Sequence, residues 1–173
     1  MSLPQVRLNG IDEGFEVKVR TRIRGAEDAV RIQRAYDALF PDAPEAAWPP
    51  SPSFPTLQDE TVTVDHVPLD TLLLMLREQR ILDTALDAMT RHLVGDSTRF
   101  EVERVAALAG KVSFGVPDHS PLGGTFRVEV SGPGLNDWIL AATHHQGRSI
   151  VPRSIGDERA MSESGEAQVW FER

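Results

Sequence analysis

The chain has 173 residues, 18 Lys+Arg against 26 Asp+Glu, a formal charge of −8 and no cysteine. One domain, alone or with an extension, is the expectation at this length, since such a chain buries roughly 70% of its unfolded surface; without thiols there are no cysteine nucleophiles, thiolate-bound zinc, iron–sulfur clusters or disulfides. The acidic balance argues against indiscriminate coating of nucleic acid, and with no apolar run of about 18 residues and no secretory pattern in MSLPQVRLNGIDEG, the reading is a cytoplasmic protein without a membrane partner.

Residues 15–24, FEVKVRTRIR, alternate strictly. Phe15, Val17, Val19, Thr21 and Ile23 share one parity, and Glu16, Lys18, Arg20, Arg22 and Arg24 the other, which is the period of a half-buried strand with four cations on its outer face. After Gly25, apolar positions at Ala29, Ile32, Tyr36, Leu39 and Phe40 predict an amphipathic helix over 26–40, with Glu27 and Asp28 in its first turn and Pro41 ending it. Half of the 12 prolines fall between Pro41 and Pro55. That density excludes a helix or central strand, so about 41–57 is expected to be a surface insertion, tacked down by Trp48 and Phe54.

TVTVDHV (61–67) predicts a second strand, followed by Pro68 at a first helical position. The Leu-rich stripe from Leu69 to Leu93 is longer than an ordinary globular helix and predicts two helices meeting near Gln79 and Arg80. Three strands are then expected, at 98–103, 111–116 and 125–131, with a helical turn at VAALAG between the first two. GPG (132–134) leads into a short helix over 135–142, and AQVWF near the carboxyl end is a candidate final strand.

Strands and helices in this order predict an α+β domain over 1–142, two layers deep, with helices on one face of a mainly antiparallel sheet and a partly irregular extension over 143–173. Outward parities then put Lys18, Arg20, Arg22, Arg24, Arg99, Lys111 and Arg127 against Glu16, Asp65, Glu101, Glu103 and Glu129. Cross-strand ion pairs account for much of this, at about 0.2–1 kcal/mol each, yet a surplus of about two cations remains on an acidic protein.

LREQRILDTAL (76–86), STRFEVERVAALAGKVSF (97–114), SPLGGTFRVEV (120–130) and DWI (137–139), with VRTRIRGAED (19–28) and LFPDA (39–43), resemble an archaeal group called uncharacterised protein family 0201. The resemblance spans about residues 15–142. It implies a fold similar to the large-subunit ribosomal protein that binds 5S ribosomal RNA, and a dimer. Its pattern falls on Arg20, Arg22, Arg24, Gln79, Arg80, Asp83, Gly110, Lys111 and Gly123; between Phe100 and Ala106 this chain departs from it, with Glu103, Arg104 and Val105.

No nucleophile elbow, phosphate-cradling glycine loop or metal-ligand spacing is present. Arg80 and Asp83 read as an intrahelical ion pair, Asp83 and Asp87 as a solvated face, and His144-His145 as exposed imidazoles. No cofactor or metal site is expected, and no enzymatic activity. The leading functional reading is a non-catalytic module for structured RNA or a ribonucleoprotein, with Lys18, Arg20, Arg22, Arg24, Arg80, Lys111 and Arg127 as its nucleic-acid contacts. The alternative is a homodimeric protein-interaction module, paired through the sheet or an edge strand.

Overall fold

A computed structural model describes residues 7–53 and 55–156. The order is β1 (Glu16–Gly25), α1 (Ala29–Leu39), β2 (Gln58–Asp65), α2 (Asp70–Glu78), α3 (Leu82–Thr90), β3 (Ser97–Glu103), α4 (Arg104–Leu108), β4 (Thr125–Ser131) and α5 (Leu135–Ala142), then a 3-10 turn at Gln146–Ser149. The four strands form one antiparallel sheet in the order β2-β1-β4-β3. This is the expected α+β architecture. The alternation of β1 decides its facing: Val17, Val19, Thr21 and Ile23 are buried while Arg20, Arg22 and Arg24 are exposed.

Phe126, Val128 and Val130 of β4 and Phe100 and Val102 of β3 complete the apolar face, against Leu72 and Leu76 of α2, Leu86 of α3, and Leu135 and Ile139 of α5. Phe126 has no exposed surface, and burying such a side chain contributes about 2–3 kcal/mol. α1 starts later than its periodicity predicts. Asp28 is its N-cap, accepting a hydrogen bond from the Val30 amide at 3.0 Å, and Glu27 lies outside the helix with its carboxylate free for other partners.

The helix pair breaks where expected. Arg80 sits between α2 and α3 in the left-handed region (φ 59°), which ends α2 and turns the chain back. Trp48, from the proline-rich stretch, packs on Tyr36 with ring centroids 5.3 Å apart, while Phe54 and the expected AQVWF strand lie outside the described residues.

The expected strand at 111–116 is not one. Gln79 bonds both backbone groups of Val112: the Val112 amide donates to Gln79 Oε1 at 2.6 Å and Gln79 Nε2 donates to the Val112 carbonyl at 3.0 Å. A side-chain amide thus satisfies the groups a neighbouring strand would have paired. Alternation in the sequence recorded a buried Val112 and a half-buried Phe114, which a loop packed on the core also requires.

Candidate anion-binding face

The outer face of the sheet is a grid of charges set by strand register. Lys18 lies opposite Asp65 on β2 and Glu129 on β4, Arg99 lies opposite Glu129, and the Lys18–Asp65 ion pair measures 3.3 Å. This row alternates in sign and neutralises itself. The next row does not: Arg20 stands directly opposite Arg127, with Thr63 on the other side of Arg20 and Glu101 beyond Arg127. Arg127 binds Glu101 at 3.0 Å, and Arg20 reaches diagonally to Glu129 at 3.5 Å.

Arg22 reaches diagonally to Asp59 with both arms, Nε and Nη2 donating at 2.7 and 2.6 Å. These bonds hold Asp59 below the ordinary carboxylate range and raise Arg22. Arg24 lies in register with that same Asp59 and makes no ion pair among the described residues. Across the described sheet, six outward cations meet six carboxylates once Asp59 is included and Lys111 is not. The expected surplus on the whole face is therefore absent, and the cations concentrate at one end.

That end is a groove of about 470 Å³ beneath the Ser120–Thr125 loop, lined by Arg20, Arg22, Arg24, Arg104 and Arg127 with Glu27 and Glu101, while Glu129 and Asp59, the partners of Arg20 and Arg22, stand outside the lining. Sequence reading assigned no role to Arg104, which is 4% exposed. Its Nη1 donates to Thr21 Oγ1 (3.1 Å) and the Arg22 carbonyl (3.0 Å), its Nε to the Gly123 carbonyl, and its Nη2 to Glu27 Oε1 (2.6 Å). Burial lowers the Arg104 pKa and Glu27 opposes the shift; a guanidinium stays charged under both. The signal was present in the sequence: continuing the inward parity of Phe100 and Val102 by two residues points Arg104 inward.

Gly124 is required by this arrangement. Its φ is +75°, and a Cβ there would stand 2.2 Å from Arg104 Nη2. The loop is thereby fixed over the groove from below by Arg104 and from one end by the Thr21 hydroxyl, which donates to the Thr125 carbonyl at 2.9 Å.

The structure separates Arg80 and Lys111 from this face. Both sit beside the Gln79–Val112 junction, Arg80 in the α2–α3 turn and Lys111 after α4, so placing Lys111 on the sheet is corrected. The expected Arg80–Asp83 pair is replaced as well: Asp83 accepts from Arg148 Nη2 (2.9 Å) and contacts His145 Nε2 (3.0 Å), and Asp87 binds Arg153. Neither aspartate is a merely solvated charge. Among the described residues no group of three or more His, Asp or Glu is arranged to hold a metal ion, and no helix is long and apolar enough to cross a membrane.

The comparisons with known proteins point one way. A UPF0201 protein of Methanocaldococcus jannaschii is 27% identical over 112 residues, 65% of this chain and 61% of the relative. A second, from Sulfurisphaera tokodaii, is 42% identical over 72 residues, covering 39% of this chain and 49% of the relative. A third, from Aeropyrum pernix, is 27% identical over 153 residues and spans 86% of this chain and 99% of the relative. The chain is similar to the UPF0201 proteins. The crystal structure of a UPF0201 protein from Methanococcus jannaschii shares its fold, with a TM-score of 0.62 at 20% identity over 75% of this chain and 99% of that one. Another UPF0201 crystal structure aligns at a TM-score of 0.55 and 24% identity, over 69% and 84% of the two chains. No family model matches. The chain thus spans less than two thirds of the first two UPF0201 relatives and nearly all of the third.

Proposed function

We propose that this protein is a non-catalytic RNA-binding or ribonucleoprotein-associated module, which grips the phosphate backbone of structured RNA in the groove between β1, β4 and the Ser120–Thr125 loop. The observation that carries this reading is the placement of Arg20 directly opposite Arg127, beside an Arg24 with no ion pair among the described residues. Like charges directly opposed across strands are destabilising; exposed pairs with Glu129 and Glu101 offset this in part, and a phosphate shared between the two guanidiniums would offset it further. Lys18 lies outside the groove and Arg22 is held by Asp59 through two donors, so both contribute less than their position in the cationic row implies. Arg80 and Lys111 fall outside the contact. The ribosomal-protein-like fold implied by the family resemblance supports the same reading and is part of the proposal.

Binding of fluorescent hairpin RNA tests it. Arg20/Arg24/Arg127→Gln should weaken binding about tenfold or more, and Lys18→Gln by under about threefold, since three guanidiniums of the groove are lost against one ammonium outside it. Equal effects of the two variants, or no binding by the wild type at low salt, would remove the reading.

A homodimer is the second reading, favoured by β3. Its outer edge is bonded at Ser97 to Val94 and at Glu103 to Ser113, no other strand pairs with it there among the described residues, and a twofold axis through Phe100 would set Arg99 of one protomer, itself without an ion pair among those residues, opposite Glu101 of its partner. Arg99→Glu should then lower the mass in solution and Arg99→Glu with Glu101→Arg restore it, as light scattering would report; a wild-type monomer contradicts it.

A further inference from the structure

The sheet face around the groove offers charges and threonines, and the groove's lining among the described residues includes one large apolar side chain. Leu122 is 95% exposed, at the tip of the Ser120–Thr125 loop that roofs the arginines. One exposed leucine is unremarkable on a protein surface. This one is held in place. The loop closes on itself through the Gly124 amide, which donates to the Pro121 carbonyl at 3.2 Å, and it is clamped from below where the Arg104 amide donates to the Gly124 carbonyl at 3.1 Å. Gly123 adopts φ +89° against Val105 of α4, so closely that a Cβ there would lie 2.5 Å from Val105 Cγ2. Two left-handed glycines, a proline and a buried arginine thus hold the loop that carries Leu122 beside the arginines of the groove.

We propose that Leu122 is an apolar wedge that packs against an unpaired base of a structured RNA, a bulged or looped-out nucleotide whose flanking phosphates lie on Arg20, Arg24 and Arg127. This rests on the RNA reading above and adds to it a class of target. A perfect A-form duplex shows a shallow minor groove and stacked bases, and gives a rigid apolar tip nothing to enter; an extruded base offers an apolar face next to a bend in the backbone. The sheet has no outward aromatic residue to serve this purpose, which leaves the loop tip as the apolar partner of the groove.

The test uses the full chain and two hairpin RNAs that share a stem, one fully paired and one carrying a single bulged 2-aminopurine. Wild-type protein should bind the bulged hairpin several-fold more tightly and alter the 2-aminopurine emission. Leu122→Ser should reduce that affinity to the level of the paired hairpin, while its affinity for the paired hairpin, its salt dependence and its melting temperature stay at wild-type values. Equal wild-type affinity for the two hairpins, or a bulge preference that survives in Leu122→Ser, overturns the wedge and leaves phosphate binding standing. Absence of salt-dependent binding to either RNA overturns both.

Discussion

Arg104 and Tyr36 are two polar side chains in the interior with opposite bonding. Every arm of the Arg104 guanidinium has a partner, and the pair with Glu27 joins the end of β3 to the start of α1. Lysine cannot reproduce that fork, and its loss strands two backbone carbonyls. Arg104→Lys and Arg104→Ala should both lower unfolding stability, by about 2–4 kcal/mol in urea melts, with little rescue by lysine; a lysine variant as stable as wild type would show that only the charge matters. The Tyr36 hydroxyl is buried without a hydrogen-bond partner among the described residues, and burial pushes its pKa far up. Its ring packs against Phe40, Trp48 and Phe126. Since only the unpaired hydroxyl is lost, Tyr36→Phe should leave stability unchanged or raise it by up to about 1 kcal/mol in thermal unfolding, and a clear loss would reveal a partner for the hydroxyl.

At the scale of elements, the strands of this sheet were legible because one face is dry and the other wet, so that β1, β3 and β4 each carry their facing in their alternation. The segment at 111–116 carried the same pattern without being a strand. What distinguishes it is Gln79, more than 30 residues away along the chain. The role of α3 was hidden for a similar reason: Asp83 and Asp87 find their partners at His145, Arg148 and Arg153, beyond α5, and no local spacing announces a contact across that distance. Burial pushes the Asp83 carboxyl up, but hydrogen bonds from Arg148 and His145 outweigh it and hold Asp83 below the ordinary range. A carboxyl lowered on folding stabilises the protein fully above its unfolded pKa of about 3.9, and that contribution is lost as pH falls through the lower folded value. Asp83→Asn should therefore lower stability near neutral pH, and the gap from wild type should close as pH falls through the lowered folded value. A gap that persists there would assign the loss to packing instead.

For the whole molecule, the charge of −8 and the arginine groove are compatible because the charges are segregated. An acidic body repels loose polyanions, and a local cluster accepts one that is oriented to meet it. The cationic row of β1 was legible from parity alone; its neutralisation was not, since Asp59 and Asp65 are assigned to Arg22 and Lys18 by a register that only the folded sheet defines. The groove was illegible for a second reason. It is completed by Arg104 and by a glycine-rich loop whose position depends on that buried side chain.

The central claim, that this groove binds phosphate, is tested most directly by the dependence of hairpin-RNA affinity on salt. With two or three phosphates held by Arg20, Arg24 and Arg127, log K should fall against log salt with a slope of roughly −1.5 to −2.5, and Arg20/Arg24/Arg127→Gln should flatten it toward zero. A flat wild-type slope, or one that the triple variant leaves unchanged, would contradict the account.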